Sequence, residues 1–337
     1  MRISELLLKN AFEITAGGFL SRFRIRKRRD TFFFEEIASE YVRRCDAAGH
    51  RAAMESIGHE WMTLFFRSLV SERMLSMPKG LLLNVVMRNI WMSGGLMDDF
   101  HATVRGDRLR IDTVNEGMTR AIGPNGLMEG FYHGIAEALF GSAAETLKAR
   151  QTKTTCSYEF RFTKKPPKLP PSREKAVYDS MNRIEATSGV NIKDLLEKNV
   201  FRLRGNSMYF RGMRVAPVEN TLFHLMGNRG IMLGEVEKIS REAFIHNVRK
   251  DSSERERLAL LKNLLHAMGW GAVSIILDEG KGATFDIRNP HYGLQPGRDS
   301  WEFMARTILG YMQVTRRDAR MKRIDESHRH LRIEYLF

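Results

Sequence analysis

Ten residues near the middle of the chain, Thr163-Lys164-Lys165-Pro166-Pro167-Lys168-Leu169-Pro170-Pro171-Ser172, constrain the fold more than any other stretch. Proline has no backbone N–H and its ring clashes with the preceding helical turn. Two Pro-Pro pairs this close therefore exclude a helix or a central strand. The segment reads as a stiff, basic, polyproline-like linker. A chain of 337 residues is long for a single core, and a break here leaves two pieces of ordinary domain size. The expected division is residues 1–162, a linker at 163–175, and residues 176–337.

The pattern before the linker starts again after it. Lys198-Asn199-Val200-Phe201 repeats Lys9-Asn10-Ala11-Phe12, and Thr221-Leu222-Phe223 echoes Thr31-Phe32-Phe33. In the first half, period-two alternation predicts a hairpin over 6–29 about Gly17-Gly18, strands at 100–105 and 108–113 joined by Gly106-Asp107, and a closing strand at 156–162. Apolar residues at helical spacing predict helices over 32–47, 52–69, 81–92 and 127–139. The first carries Phe33, Ile37, Tyr41 and Cys45 on one side.

In the second half the expected strands are 201–204, 208–215, 272–277, 284–288 and 333–337, with helices at 234–249, 253–268 and 301–312. Ser253 and Glu256 have capping-box spacing ahead of the stripe Leu258, Leu261, Leu265, Met268. The predicted fold class is α+β: two tandem repeats of a helical layer packed on a small antiparallel sheet. Two such copies in one chain are expected to pair as a homodimer would.

Charge separates some functions from others. Lys and Arg total 54 against 40 Asp and Glu, a net +14 that points to a polyanionic partner such as RNA or DNA. Arg22, Arg24 and Arg26 share one strand face and run into Lys27, Arg28 and Arg29. Arg202, Arg204, Arg211 and Arg214 occupy the equivalent hairpin of the second half. Both groups are candidate phosphate contacts, the competing reading being a solvated sheet face.

Two distant cysteines, Cys45 and Cys156, make no metal-knuckle spacing, and Cys45 reads as a small core residue. With few thiols, and with Met1-Arg2-Ile3-Ser4-Glu5-Leu6 unlike a signal peptide, the expected compartment is the cytoplasm. The most apolar window, residues 80–92, contains Asn84, Arg88 and Asn89 and is too short to span a bilayer.

No catalytic motif stands out. Gly280-Lys281-Gly282 lies between two strands and reads as a hairpin turn rather than a phosphate loop. His59-Glu60 and His328-Arg329-His330 lack the spacing of zinc ligand sets, so neither a metal nor a cofactor is expected. An apolar pocket is sought among Phe223, Met226, Met232, Phe244, Trp270 and Trp301, residues that plain core packing would equally require.

Gly227-Asn228-Arg229-Gly230 before a helix, Met268-Gly269-Trp270-Gly271 at a helix-to-strand junction and Asn289 after the second strand give the second half a resemblance to the 4-vinyl reductase domain family. In the first half Glu145 and Cys156-Ser157-Tyr158 resemble that family's closing Glu and last Cys. Lys148 stands where another family Cys is common, and Leu331 where the second half's last Cys would fall, so a thiol-based or metal-linked role is not carried over.

The resemblance implies a hydrocarbon-binding domain, similar in fold to core subunits of the TRAPP vesicle-tethering complex, with an apolar cavity between helices and sheet. The leading expectation is a non-enzymatic regulatory or sensory protein that binds a small hydrophobic ligand. The alternatives are a basic scaffold for nucleic acid, a ribonucleoprotein or another protein partner, and, third, a reductase of a vinyl-bearing pigment precursor.

Overall fold

Alternation of apolar and polar residues builds three four-stranded antiparallel sheets. They are seen in a computed structural model that describes residues 12–15, 18–21, 31–183, 190–205, 207–248, 252–278, 280–327 and 329–337. The strands are β1 Phe12–Thr15, β2 Gly18–Ser21, β3 Thr31–Phe34, β4 Asp99–Arg105, β5 Arg108–Val114, β6 Ala144–Gln151, β7 Thr155–Phe162, β8 Phe201–Arg204, β9 Ser207–Phe210, β10 Met213–Val218, β11 Ala272–Asp278, β12 Gly282–Arg288, β13 Arg320–Ser327 and β14 His330–Leu336. The longer helices are α1 Glu35–Cys45, α2 Arg51–Leu69, α3 Gly126–Phe140, α4 Thr221–Arg229, α5 Leu233–Ile245, α6 Glu254–Ala267 and α7 Glu302–Met312. The chain is an α+β protein.

Two sheets share one connectivity, a hairpin, a helix and a second hairpin: β4-β5-β7-β6 in the first half and β11-β12-β14-β13 in the second. Leu109 and Ile111 of β5 point into a core while Arg108 and Arg110 face out, as their alternation predicts. In β12, Ala283, Phe285 and Ile287 do the same. Strands β6 and β13, absent from the sequence expectation, are sheet edges. Residues along β6 are exposed on both faces, and an edge exposed in this way needs no apolar alternation to mark it.

The third sheet takes strands from both halves, in the order β3-β10-β9-β8. Residues 32–34, expected as the start of a helix, instead belong to β-strand β3: Thr-Phe-Phe-Phe is a strand-favouring run, and Phe34 pairs with Val215 and Thr31 with Val218. The helix begins at Glu35. The strand expected over 208–215 is divided into β9 and β10, because Arg211 and Gly212 both take positive φ (46° and 99°) and turn the chain between them. Strands β1 and β2 pair as a hairpin; Arg22, Arg24, Arg26, Lys27, Arg28 and Arg29 lie outside the described residues.

This sheet brings together residues from both sides of the linker. One core joins Phe32, Phe33, Ile37, Tyr41, Cys45 and Ile57 to Phe223, Phe244, Trp270 and Phe303. A second core, beneath the first-half sheet, gathers residues such as Phe66, Trp91, Phe100, Phe131 and Phe160. The larger core therefore crosses the linker. Trp270, fully buried, stacks on Phe33 with ring centroids 5.5 Å apart and donates its indole N–H to Phe32 O at 3.0 Å.

Residues 163–174 have no helix or strand, yet they are tied down at several points. Thr163 N donates to Ala143 O and Ala143 N to Lys165 O, both at 2.8 Å. The Arg67 guanidinium of α2 donates to Pro170 O at 2.6 Å, and Arg173 N donates to Leu294 O at 2.7 Å. The segment is thus a strap held against α2 and the end of β6. Among the described residues no helix is long and apolar enough to cross a membrane; the apolar window near residue 85 is interrupted by a π-helical stretch, Leu82–Met87.

Candidate functional site

Glycines determine how closely α2 and α3 approach. A Cβ on Gly130 would lie 1.8 Å from Glu55 O, one on Gly58 2.0 Å from Leu127 O, and one on Gly134 2.4 Å from His59 O. Those are backbone atoms, so no side chain larger than hydrogen is accommodated without moving a helix. The contact brings His59 of α2 beside His133 and Glu137 of α3, which sit four residues apart on one face. His59 Nε2 lies 2.8 Å from Glu137 Oε2, and His133 Nε2 lies 3.5 Å from Glu137 Oε1.

The main chain of Ala144 holds this group from the other side. Its N–H donates to Glu137 Oε1 at 2.9 Å, and its carbonyl lies 3.0 Å from His133 Nε2. Burial works to raise the Glu137 carboxyl, but the hydrogen bonds from His133, His59 and the Ala144 N–H outweigh it and hold the group well below the usual carboxylate range. Burial likewise works to lower His133, while its hydrogen bond and charge interaction with Glu137 carry it upward.

One donor atom from each of the three residues lies within 4.8 Å of the others. Two imidazoles and one carboxylate are a ligand set used by zinc and by non-haem iron, with coordination positions left open. His59, His133 and Glu137 line a groove of about 500 Å³ between the two helices and the strap, bordered also by Glu55, Ser56, Lys165 and Lys168. A smaller groove of about 300 Å³ adjoins it along His59, Glu60 and Lys168.

The apolar candidates do not line either groove. Phe223, Met226, Phe244, Trp270 and Trp301 are buried within the larger core, where Phe223 meets Phe33 with ring centroids 4.1 Å apart. Met232 is partly buried at the start of α5 with positive φ, 47°.

The basic candidates divide. Arg202 and Arg204 are exposed on one face of β8, Arg204 lies over the Tyr209 ring, and Arg211 donates to Asn247 O at 2.5 Å. Arg214 does not belong with them. It is buried, paired with the Glu35 carboxylate, and donates through Nε to Ser207 Oγ at 3.1 Å. Its strand is interior to the sheet, with Met213–Ala216 all buried, so alternation there does not divide core from solvent. Both cysteines are buried, and burial pushes their thiols up, Cys45 to about 11 and Cys156 to about 12. Neither is poised as a nucleophile.

His133 and Glu137 carried a local signal, since residues four apart within the predicted helix 127–139 share a face. Nothing local tied them to His59, 74 positions earlier. The small-residue pattern Gly130 and Gly134, matched by Gly58, was the readable trace of the helix contact.

No family model matches the chain, and no curated protein and no solved structure matches it.

Proposed function

We propose that this chain is a binding protein whose site is a divalent transition-metal centre at His59, His133 and Glu137, opening on the groove beneath the strap. The observation that carries the proposal is the convergence of three metal-donor side chains from two helices that glycine contacts lock together. The expectation of a binding protein is kept, while the ligand site moves from the apolar core to this polar groove. Phe223, Met226, Phe244, Trp270 and Trp301 serve as packing.

Titration with Zn²⁺ and with Co²⁺ tests the site. One ion per chain is expected to bind to the wild-type protein, with the visible absorption of the cobalt form reporting the coordination. His59→Ala and Glu137→Gln are expected to abolish or strongly weaken uptake, since each removes one of three protein ligands. A folded wild-type protein that takes up neither ion overturns the proposal, as do variants that bind like the wild type.

A further inference from the structure

The strap gives this groove a property that the three donors alone do not. Ala143 and Ala144 are consecutive: Ala144 holds His133 and Glu137 through its main chain, and Ala143 holds Thr163 and Lys165 through its own. The strap therefore leaves the edge of the site itself. Pro166 and Pro167 stiffen it, and it is caught again at Pro170 by Arg67. Between these anchors Lys168 borders both grooves and Lys165 borders the larger one. Neither lysine forms an ion pair among the described residues, so both ammonium groups are available to something that enters.

Charge then identifies the ligand class. Glu55 and Glu137 bring two negative charges to the larger groove, and Lys165 and Lys168 bring two positive ones. Glu60, on the smaller groove, is already engaged by Arg229 at 2.9 Å and by Gln295 at 2.5 Å. The two carboxylates and the two ammonium groups of the groove balance one another. A divalent ion held by His59, His133 and Glu137 would add two positive charges to a groove that Lys165 and Lys168 also line. Its volume of about 500 Å³ is that of a small-molecule site rather than a polymer track.

Resting on the metal centre proposed above, we infer that the groove binds a small oxyanion-bearing molecule, a carboxylate or a phosphate, between the metal ion and Lys165 and Lys168. Anion binding is then conditional on metal. A strong carboxylate or phosphate contact from lysine is charge-assisted, and loss of two such contacts weakens binding by on the order of tenfold or more.

The test uses the full chain loaded with Co²⁺, with free ion removed, and titrated by calorimetry with inorganic phosphate in one arm and malonate in the other. One anion is expected to bind the metal-loaded protein, at least tenfold more weakly without metal, and the preferred arm identifies the oxyanion. The double variant Lys165→Ala/Lys168→Ala is expected to lose about tenfold in anion affinity while taking up metal normally. Metal uptake with no anion binding overturns this inference alone, as does anion binding that ignores either the metal or the two lysines. Failure of metal uptake overturns both this inference and the metal centre.

Discussion

Replacing Glu36 by Gln should stabilise the protein at pH 8 and have little effect at acid pH. Glu36 lies on α1 and accepts a hydrogen bond from Arg214 N at 2.6 Å through Oε1; its Oε2 is buried with no hydrogen-bond partner. Burial raises its carboxyl from the ordinary 4.5 to about 7, against the opposing pull of a backbone hydrogen bond and of Arg120. Between those values the native state holds a proton that the unfolded chain has released. Stability therefore falls as pH rises through this window and is lowest once the native carboxyl has ionised. A displacement of this size corresponds to about 3 kcal/mol of penalty on the ionised form.

Urea unfolding of wild type and Glu36→Gln at pH 5 and pH 8 measures it. The variant should be more stable by roughly 3 kcal/mol at pH 8 and by about 1 kcal/mol or less at pH 5, because the neutral amide escapes the charge penalty. A stability difference that is the same at both pH values would refute the assignment, since only a titrating group makes the difference depend on pH.

Three further substitutions test the helix contact at the site and the buried charge of Arg214. Gly130→Ala must displace α2 or α3, because its Cβ would meet Glu55 O at 1.8 Å. A loss of roughly 1–3 kcal/mol in thermal unfolding is expected, with weaker metal uptake as His59 moves away from Glu137. Arg214→Met leaves the buried Glu35 with Arg120, at 2.8 and 2.9 Å, as its remaining charged partner. It should cost about 3 kcal/mol by chemical unfolding, whereas Arg202→Met, on an exposed strand face, should stay within about 0.5 kcal/mol of wild type.

What the amino-acid order reveals follows from how local the cause is. The capping box forms as its spacing predicts, with Ser253 Oγ accepting from Glu256 N and Glu256 Oε2 from Ser253 N. β4 and β5 lie within a residue of their expected bounds, because alternation and the Gly106-Asp107 turn act over a few positions. Strand β3 was hidden for a different reason. Phe33, Ile37, Tyr41 and Cys45 keep a helical spacing across a strand-to-helix junction, and all four are buried. Only pairing with β10, more than 180 residues away, makes the first of them strand.

The same distance hid the site. A two-residue signal on α3 has no chemical meaning until α2 is packed against it, and that packing depends on glycines whose role appears only when the facing carbonyls are placed. Arg214 was misassigned because its neighbours on the hairpin are exposed and it is not. The larger core, which draws on residues from both sides of the linker, was not legible from the order of elements.

The indole of Trp270 and the carbonyl of Phe32 that it binds are 238 positions apart, which matters while the chain is being made. At about 5–20 residues per second, synthesis takes roughly 12–48 s to travel from one to the other. For most of that interval the three phenylalanines of β3 lack their strand partner β10, which ends at Val218, and the indole of Trp270 follows later still. The nascent protein must therefore carry an apolar, strand-prone segment unpaired for most of its own translation, so its yield in cells should depend on chaperone supply and elongation rate more than its final stability would suggest.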